Sequence, residues 1–206
     1  HRNNQRIGVA VADNPGGPWK RFNKPIIDIN PDNWDSLLTT NPSCCPTPDG
    51  RFLLVYKAAT DIGEEVEYKS PVYHGVAFAN NPTGPFEKQL QPIFTSDEAR
   101  FPAEDPCVFY YKDRYYVILK DMGCYYANNE RSLVLFESFD GVNWDLTSKS
   151  LVITREVFFE DEGLKKLHRL ERPQIYKEDD DILVLYCSVK PDKNRDVSYN
   201  IHIPLK

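Results

Sequence analysis

The sequence predicts an all-β fold, a propeller of four-stranded antiparallel blades, and two observations carry that expectation. The first is internal similarity. "GVAVADNPGGPW" (Gly8 to Trp19), "GVAFANNPTGPF" (Gly75 to Phe86) and, more loosely, "LVLFESFDGVNW" (Leu133 to Trp144) share one pattern: an apolar strand, a turn rich in Asn, Asp, Gly and Pro, then an aromatic residue opening another strand. The second is a block that recurs between those copies. "NPSCCPTPDGRFLLVYKAA" from Asn41, "DPCVFYYKDRYYVILKDM" from Asp105 and "RPQIYKEDDDILVLYCSV" from Arg172 each give a polar residue, a proline, a strand, a turn and a very apolar strand. Their prolines, Pro42, Pro106 and Pro173, are spaced by 64 and 67 residues.

Each unit therefore contains four strands, two from the second block followed by two from the first. Residues 6–27 supply the outer half of one blade, 41–94 a full blade, 105–152 another, and 172–205 most of a last one. The apolar strands "FLLVYKAA", "YYVILKDM" and "ILVLYCSV" lack inside/outside alternation, which requires cover on both faces of the sheet. Stacked blades provide that cover. A β-sandwich, the competing class, does not explain why the strands repeat. About three and a half blades fall short of the roughly four needed to close a ring. Residues 1–206 are thus expected to form one propeller domain, the C-terminal portion of a longer one whose remainder lies upstream of His1.

The composition, 41% hydrophobic, 13% aromatic and 27% charged, is that of a globular chain, and no apolar run approaches the ~18 residues of a membrane span. A net charge of -6 without a Lys/Arg cluster argues against a nucleic-acid partner and favours a neutral or weakly charged ligand. Cys44, Cys45, Cys107, Cys124 and Cys187 are odd in number and lack CxxC spacing, so they read as buried or half-buried free thiols. The chain opens on His1 without an initiator Met, so no targeting segment is read from it.

In a propeller the first strand of each blade lies innermost and its entrance points into the central funnel. Just before the three block prolines stand Asn41, the pair Glu104-Asp105 and the pair Glu171-Arg172. One such residue alone would cap a strand or pair with a neighbour, as Glu171 could with Arg169 or Arg172. Three at equivalent positions of successive repeats point to a site. Successive strand residues face opposite ways, so Asp105 is expected to enter the funnel with Glu104 supporting it, the reverse being the alternative.

The entrances "AEDP" and "LERPQ", the repeated "VAxAxNPxGPW" and the "TTNPS" start resemble the five-bladed propeller glycoside hydrolases of families 32, 43, 62 and 117, families 43 and 117 most of all. The resemblance implies hydrolysis of a terminal glycosidic bond in an oligo- or polysaccharide and a periplasmic or secreted location. It implies no cofactor beyond a structural metal ion at the propeller axis. Such chemistry needs one carboxylic acid to protonate the departing oxygen and a second carboxylate on the side of the anomeric carbon. By resemblance Glu171 matches the general acid, and Asp105 matches the aspartate that tunes it. The remaining aspartate of the group belongs to a first blade with no counterpart here. Asn41 holds the equivalent position in the next blade, where its amide suits a sugar hydroxyl but not a base. Inversion by single displacement is the default, and retention through a covalent intermediate the runner-up. A carbohydrate-binding propeller without catalysis and a phosphorylase of similar fold are the rival functions.

Further candidates for substrate contact are Glu104, His168, Arg172, Lys57 and Lys120. The two lysines close equivalent apolar strands and need either a carboxylate partner or a wet cavity. Arg172 suits bidentate contact with a carboxylate or sugar hydroxyls. Trp34 and Tyr125 could stack on a sugar face, and "NPDNWDSLLTTN" and "MGCYYANNER" are expected rim loops. Asp179, Asp180 and Asp181 read as a solvated hairpin turn rather than a metal site.

Overall fold

A computed structural model describes residues 2–63, 69–127, 131–179 and 181–205. Among the described residues one 3-10 turn, Arg2–Asn4, comes first and every other regular element is a strand. The hairpin β1 (Ala10–Val11) and β2 (Lys20–Arg21) leads into a sheet of β3 (Leu38–Pro46), β4 (Phe52–Ala59), β5 (Val72–Ala79) and β6 (Glu87–Lys88), paired in that order. A second four-stranded sheet follows with β7 (Ala103–Tyr111), β8 (Arg114–Asp121), β9 (Leu133–Ser138) and β10 (Asp145–Ile153). A small hairpin, β11 (Glu156–Phe159) and β12 (Gly163–Lys166), separates it from the three-stranded sheet of β13 (Arg169–Glu178), β14 (Asp181–Lys190) and β15 (Tyr199–Pro204). Neighbouring strands within each sheet are antiparallel. The four-stranded antiparallel units expected from the repeats are therefore present, each built in chain order from the inside outward. Among the described residues no helix is long and apolar enough to cross a membrane.

The sequence similarity between the first-type repeats has a structural counterpart. Gly17 and Gly84 donate to the carbonyls of Asn14 and Asn81, and both glycines hold a positive φ, 83° and 82°, before a cis proline. A side chain at that φ would be strained, which accounts for glycine at the same place in both turns.

Burial explains the missing alternation in the central strands. On β4, Leu53 and Val55 join Val76, Phe78, Val117, Leu119 and Val134 in the core between the two four-stranded sheets, while Leu54, Tyr56 and Ala58 pack with Ile7 and Ile27 on the opposite side. On β8, Ile118 turns the other way from Val117 and Leu119, into a core with Cys107, Phe109, Leu170, Leu185 and Val189. The last sheet departs from expectation. Leu185, Cys187 and Val189 of β14 are buried, but the other face presents Tyr186 half-exposed, so only one side is covered. The β11–β12 hairpin was not foreseen. Val157 and the following Leu167 enter the core while Phe158 and Leu164 point outward. All five cysteines are free thiols: Cys45, Cys107 and Cys187 are buried as expected, whereas Cys44 and Cys124 are exposed. Asp179 and Asp181 are exposed beside the turn between β13 and β14, and Asp180 lies outside the described residues.

Trp34 does not stand free at the rim. Its ring stacks on Tyr56 at 6.2 Å and 18°, and its Nε1 donates to the Leu90 carbonyl. Tyr56 is wholly buried and donates to Asp35, which also accepts from Lys88 Nζ at 2.5 Å. The ring of Tyr56 occupies the place a side chain at Gly75 would need, because a Cβ there would lie 2.5 Å from the ring. Gly75→Ala is expected to destabilise the fold by about 1–3 kcal/mol through overpacking. In a Tyr56→Ala background the same change should cost clearly less, as read from urea unfolding in a double-mutant cycle.

Candidate active site

The candidate site is produced by one local irregularity repeated three times. Proline has no N–H to give a ladder, so an Xaa-Pro pair inside an inner strand interrupts its pairing. In β3 the register breaks between Thr40 and Ser43, in β7 between Glu104 and Cys107, and in β13 between Glu171 and Gln174. The residue before each proline, Asn41, Asp105 and Arg172, sits in the left-handed region at φ 46°, 56° and 54°. Such φ values are uncommon for residues other than glycine, and strain of this kind gathers at functional sites. Each bulge breaks simple alternation, so two consecutive polar side chains from one strand are brought to the same region.

These bulges border a cavity of about 450 Å³. Its lining includes Asn41, Lys57, Glu104, Lys120, Glu171 and Arg172, six of the eight residues singled out from sequence. Lys57 of β4 ion-pairs with Glu104 of the next sheet at 2.7 Å. Lys120, at the equivalent place on β8, ion-pairs with Glu171 of the sheet after that and lies 3.7 Å from Glu104. The same cross-sheet rung thus occurs twice, and Lys120 joins the two glutamates. The lysines have the carboxylate partners that burial demands.

Asp105 is placed differently from the expectation. Its side chain is only 4% exposed and lies beside the main cavity, in a smaller recess with Asn41, Pro42, Pro106, Arg172 and Gln174, of which Asn41 and Arg172 also line the main cavity. Asn41 Nδ2 donates to Asp105 Oδ1 at 2.5 Å, and Arg172 Nη1 stands 3.7 Å from the same oxygen. The cavity wall is formed by Glu104 instead. The alternation rule placed Asp105 in the funnel, but the bulge rotates the chain at that residue.

The two neighbouring carboxyls also differ in their hold on a proton. Burial, then the charge of Glu104, pushes Asp105 up from the ordinary aspartate value against the pull of Arg172, Lys57 and Lys120. Burial acts on Glu104 in the same direction but is outweighed by Lys57, through charge and a hydrogen bond, and by Lys120 and Arg172, so its pKa is lowered. Glu104 is therefore a fixed negative charge, and Asp105 the readier of the two to carry a proton.

His168 does not reach the cavity; its backbone N–H donates to the Pro191 carbonyl and its carbonyl accepts from Arg155. Tyr125 is also absent from the lining and lies over Gly123. Of the two expected rim loops, the first contributes Asn41 alone. The second contributes Met122 and Arg131, while its residues 128–130 lie outside the described residues. Buried Asp121 shapes that loop by accepting from the backbone N–H groups of Gly123, Tyr125 and Tyr126. Gln5, Phe101 and Arg169 line the cavity without having been chosen from sequence, and Met122 and Arg131 were included only as members of the second loop. Arg169 was weighed only as an ion-pair partner of Glu171, which it meets at 3.9 Å. Among the described residues no three His, Cys, Asp or Glu side chains converge as metal ligands.

No protein-family model matches the chain, and no curated protein does. Solved structures do. A family 117 glycoside hydrolase from the marine bacterium Zobellia galactanivorans matches with a TM-score of 0.65 at 23% identity, over 98% of this chain and 52% of that one. A thermostable family-43 glycoside hydrolase matches at 0.66 and 15% identity, over 98% and 63%. An endo-arabinase from Bacteroides thetaiotaomicron matches at 0.63 and 14%, over 89% and 62%. At these identities the likeness is one of fold, and the fold is that of the propeller-type glycoside hydrolases. The chain spans between about half and two thirds of the length of these structures.

His74, cross-strand from Lys57, is wholly buried edge-on to Phe94, and neither ring nitrogen has a hydrogen-bond partner among the described residues. Burial, reinforced by the charge of Lys57, lowers its pKa to about 3. The unfolded chain takes up this proton below its ordinary value of 6.5 while the native state refuses it. The stability His74 contributes is therefore present above that value and is lost as pH falls toward about 3. His74→Leu should flatten this part of the acid decline, as measured by urea midpoints at pH 7 and pH 5.

Proposed function

We propose that this chain carries part of a glycoside hydrolase site, in which Glu171 protonates the departing glycosidic oxygen and Asp105 tunes that step from the adjoining recess. The observation that carries the reading is the repeated bulge, which brings Glu104 and Glu171 from two sheets to one cavity and Asp105 to the recess that adjoins it. Glu171 lines the cavity where a sugar could enter, and Arg172, its chain neighbour, extends to Asp105. Asp105, its pKa raised by burial, can exchange a proton with its surroundings while the ionised Glu104 offers negative charge to a developing oxocarbenium ion. Asn41 and Lys57 would hold sugar hydroxyls. The default is inversion of a terminal linkage in an oligo- or polysaccharide, with residues 1–206 acting as one propeller domain. The base or nucleophile opposite Glu171 is not assigned within these residues.

One observation favours a second reading, a carbohydrate-binding propeller without turnover. Both cavity glutamates end on lysine ammonium groups, an arrangement that suits hydrogen-bond acceptance. Hydrolysis of natural and aryl glycosides by the full-length protein and its Glu171→Gln variant separates the two. An acid role predicts about 10²–10⁴-fold loss on unactivated glycosides and much smaller loss on aryl ones, which need little protonation. Equal activity of both proteins on an unactivated glycoside would refute the assignment, and sugar binding without turnover in the parent would establish the second reading.

A further inference from the structure

The cavity has the opposite charge balance from the chain that builds it. The protein carries 31 acidic against 25 basic residues. Yet among the described residues the cavity wall holds Lys57, Lys120, Arg131, Arg169 and Arg172 and, as carboxylates, only Glu104 and Glu171. The two glutamates are engaged by the two lysines. The three arginines are left with little. Arg172 lies 3.7 Å from Asp105 and Arg169 lies 3.9 Å from Glu171, both beyond hydrogen-bond length, and their side chains are 65% and 54% exposed. Arg131 is exposed and has no ion pair among the described residues. Three guanidinium groups around one cavity repel one another, and that cost is offset when a ligand brings negative charge. Each also presents a planar fork of donors matched to a carboxylate or a sulfate. The bulge at Arg172 contributes again, since it turns Arg172 toward the same cavity as Arg169 three positions earlier.

We propose that the ligand is an acidic glycoside, a sugar bearing a carboxylate or sulfate group that Arg131, Arg169 and Arg172 hold at the cavity wall. This replaces the neutral ligand suggested by overall charge. It rests on the glycoside reading above but not on turnover.

Binding is the test, by isothermal titration calorimetry on the full-length protein at low and high salt. The probes are an oligouronide and its methyl ester, a sulfated oligosaccharide and its desulfated form, and inorganic phosphate. At least tenfold tighter binding of one charged probe than of its neutral counterpart is expected, with the preferred pair identifying carboxylate or sulfate. Arg131→Gln and Arg169→Gln should each weaken that binding at least tenfold and reduce its salt dependence, while Arg169→Lys should restore part of it. Equal affinity for charged and neutral forms, binding of phosphate alone, no binding of any probe, or charged binding indifferent to both Gln substitutions would overturn the proposal. Acidic-glycoside binding without hydrolysis would refute the hydrolase reading alone. Hydrolysis of neutral glycosides with no preference for charge would refute this inference alone.

Discussion

The site depends on one covalent fact, a proline at the fourth or fifth residue of each inner strand, where its nitrogen has no hydrogen to give the ladder. Pro42, Pro106 and Pro173 each mark the same interruption, and at each the preceding residue takes a backbone region that Asn and Asp tolerate and Arg rarely adopts. The surrounding sheets make this strain affordable. Val55, Val117, Leu119 and Leu185 on the adjoining strands are almost fully buried, so local distortion is held against a packed background.

From that interruption the polar architecture follows. A lysine of one sheet reaches a glutamate of the next, first from Lys57 to Glu104 and then from Lys120 to Glu171. These contacts cross between sheets at their inner edges, where the candidate chemistry lies. Removing one member of a partly buried pair leaves an uncompensated charge, so packing of adjacent sheets and composition of the cavity are linked through the same side chains. Two carboxyls adjacent in sequence, Glu104 and Asp105, can then differ in acidity because one is given to ammonium groups and the other to burial and an amide.

Much of the fold was legible in the residues because repetition is a global signal. Equivalent prolines, equivalent Asn-Gly-Pro turns and three uniformly apolar second strands survive any error about a single element. The β11–β12 hairpin was not legible, since "REVFFEDEGLKK" belongs to neither repeat. The uncovered face of β14 was missed because an apolar run implies cover without revealing whether a neighbour supplies it. At the site, the choice of Asn41, Lys57, Glu104, Lys120, Glu171 and Arg172 as cavity residues agrees with their placement, because equivalent positions of a repeat converge. The order of Glu104 and Asp105 was not recoverable, because a bulge suspends the very alternation used to infer direction. Trp34 in a polar segment looked available for stacking, and only the tertiary contact with Tyr56 shows it occupied. The arginine wall was hidden by distance along the chain, with Arg131 and Arg169 in different segments and no local cluster to mark them.

The lysine rung is not carried into the last sheet, where the residue opposite Glu171 is Ser188 rather than an amine. That shorter side chain lines a further recess of about 320 Å³ beside Glu171, Arg169 and Arg172. Glu104 is clamped within the sequence of rungs, whereas Glu171 terminates it, with an ammonium on one flank and open volume on the other. A repeating structure thus makes one of two chemically identical side chains unique by omission: periodicity provides the scaffold, and its first broken step provides the asymmetry on which directional chemistry can act.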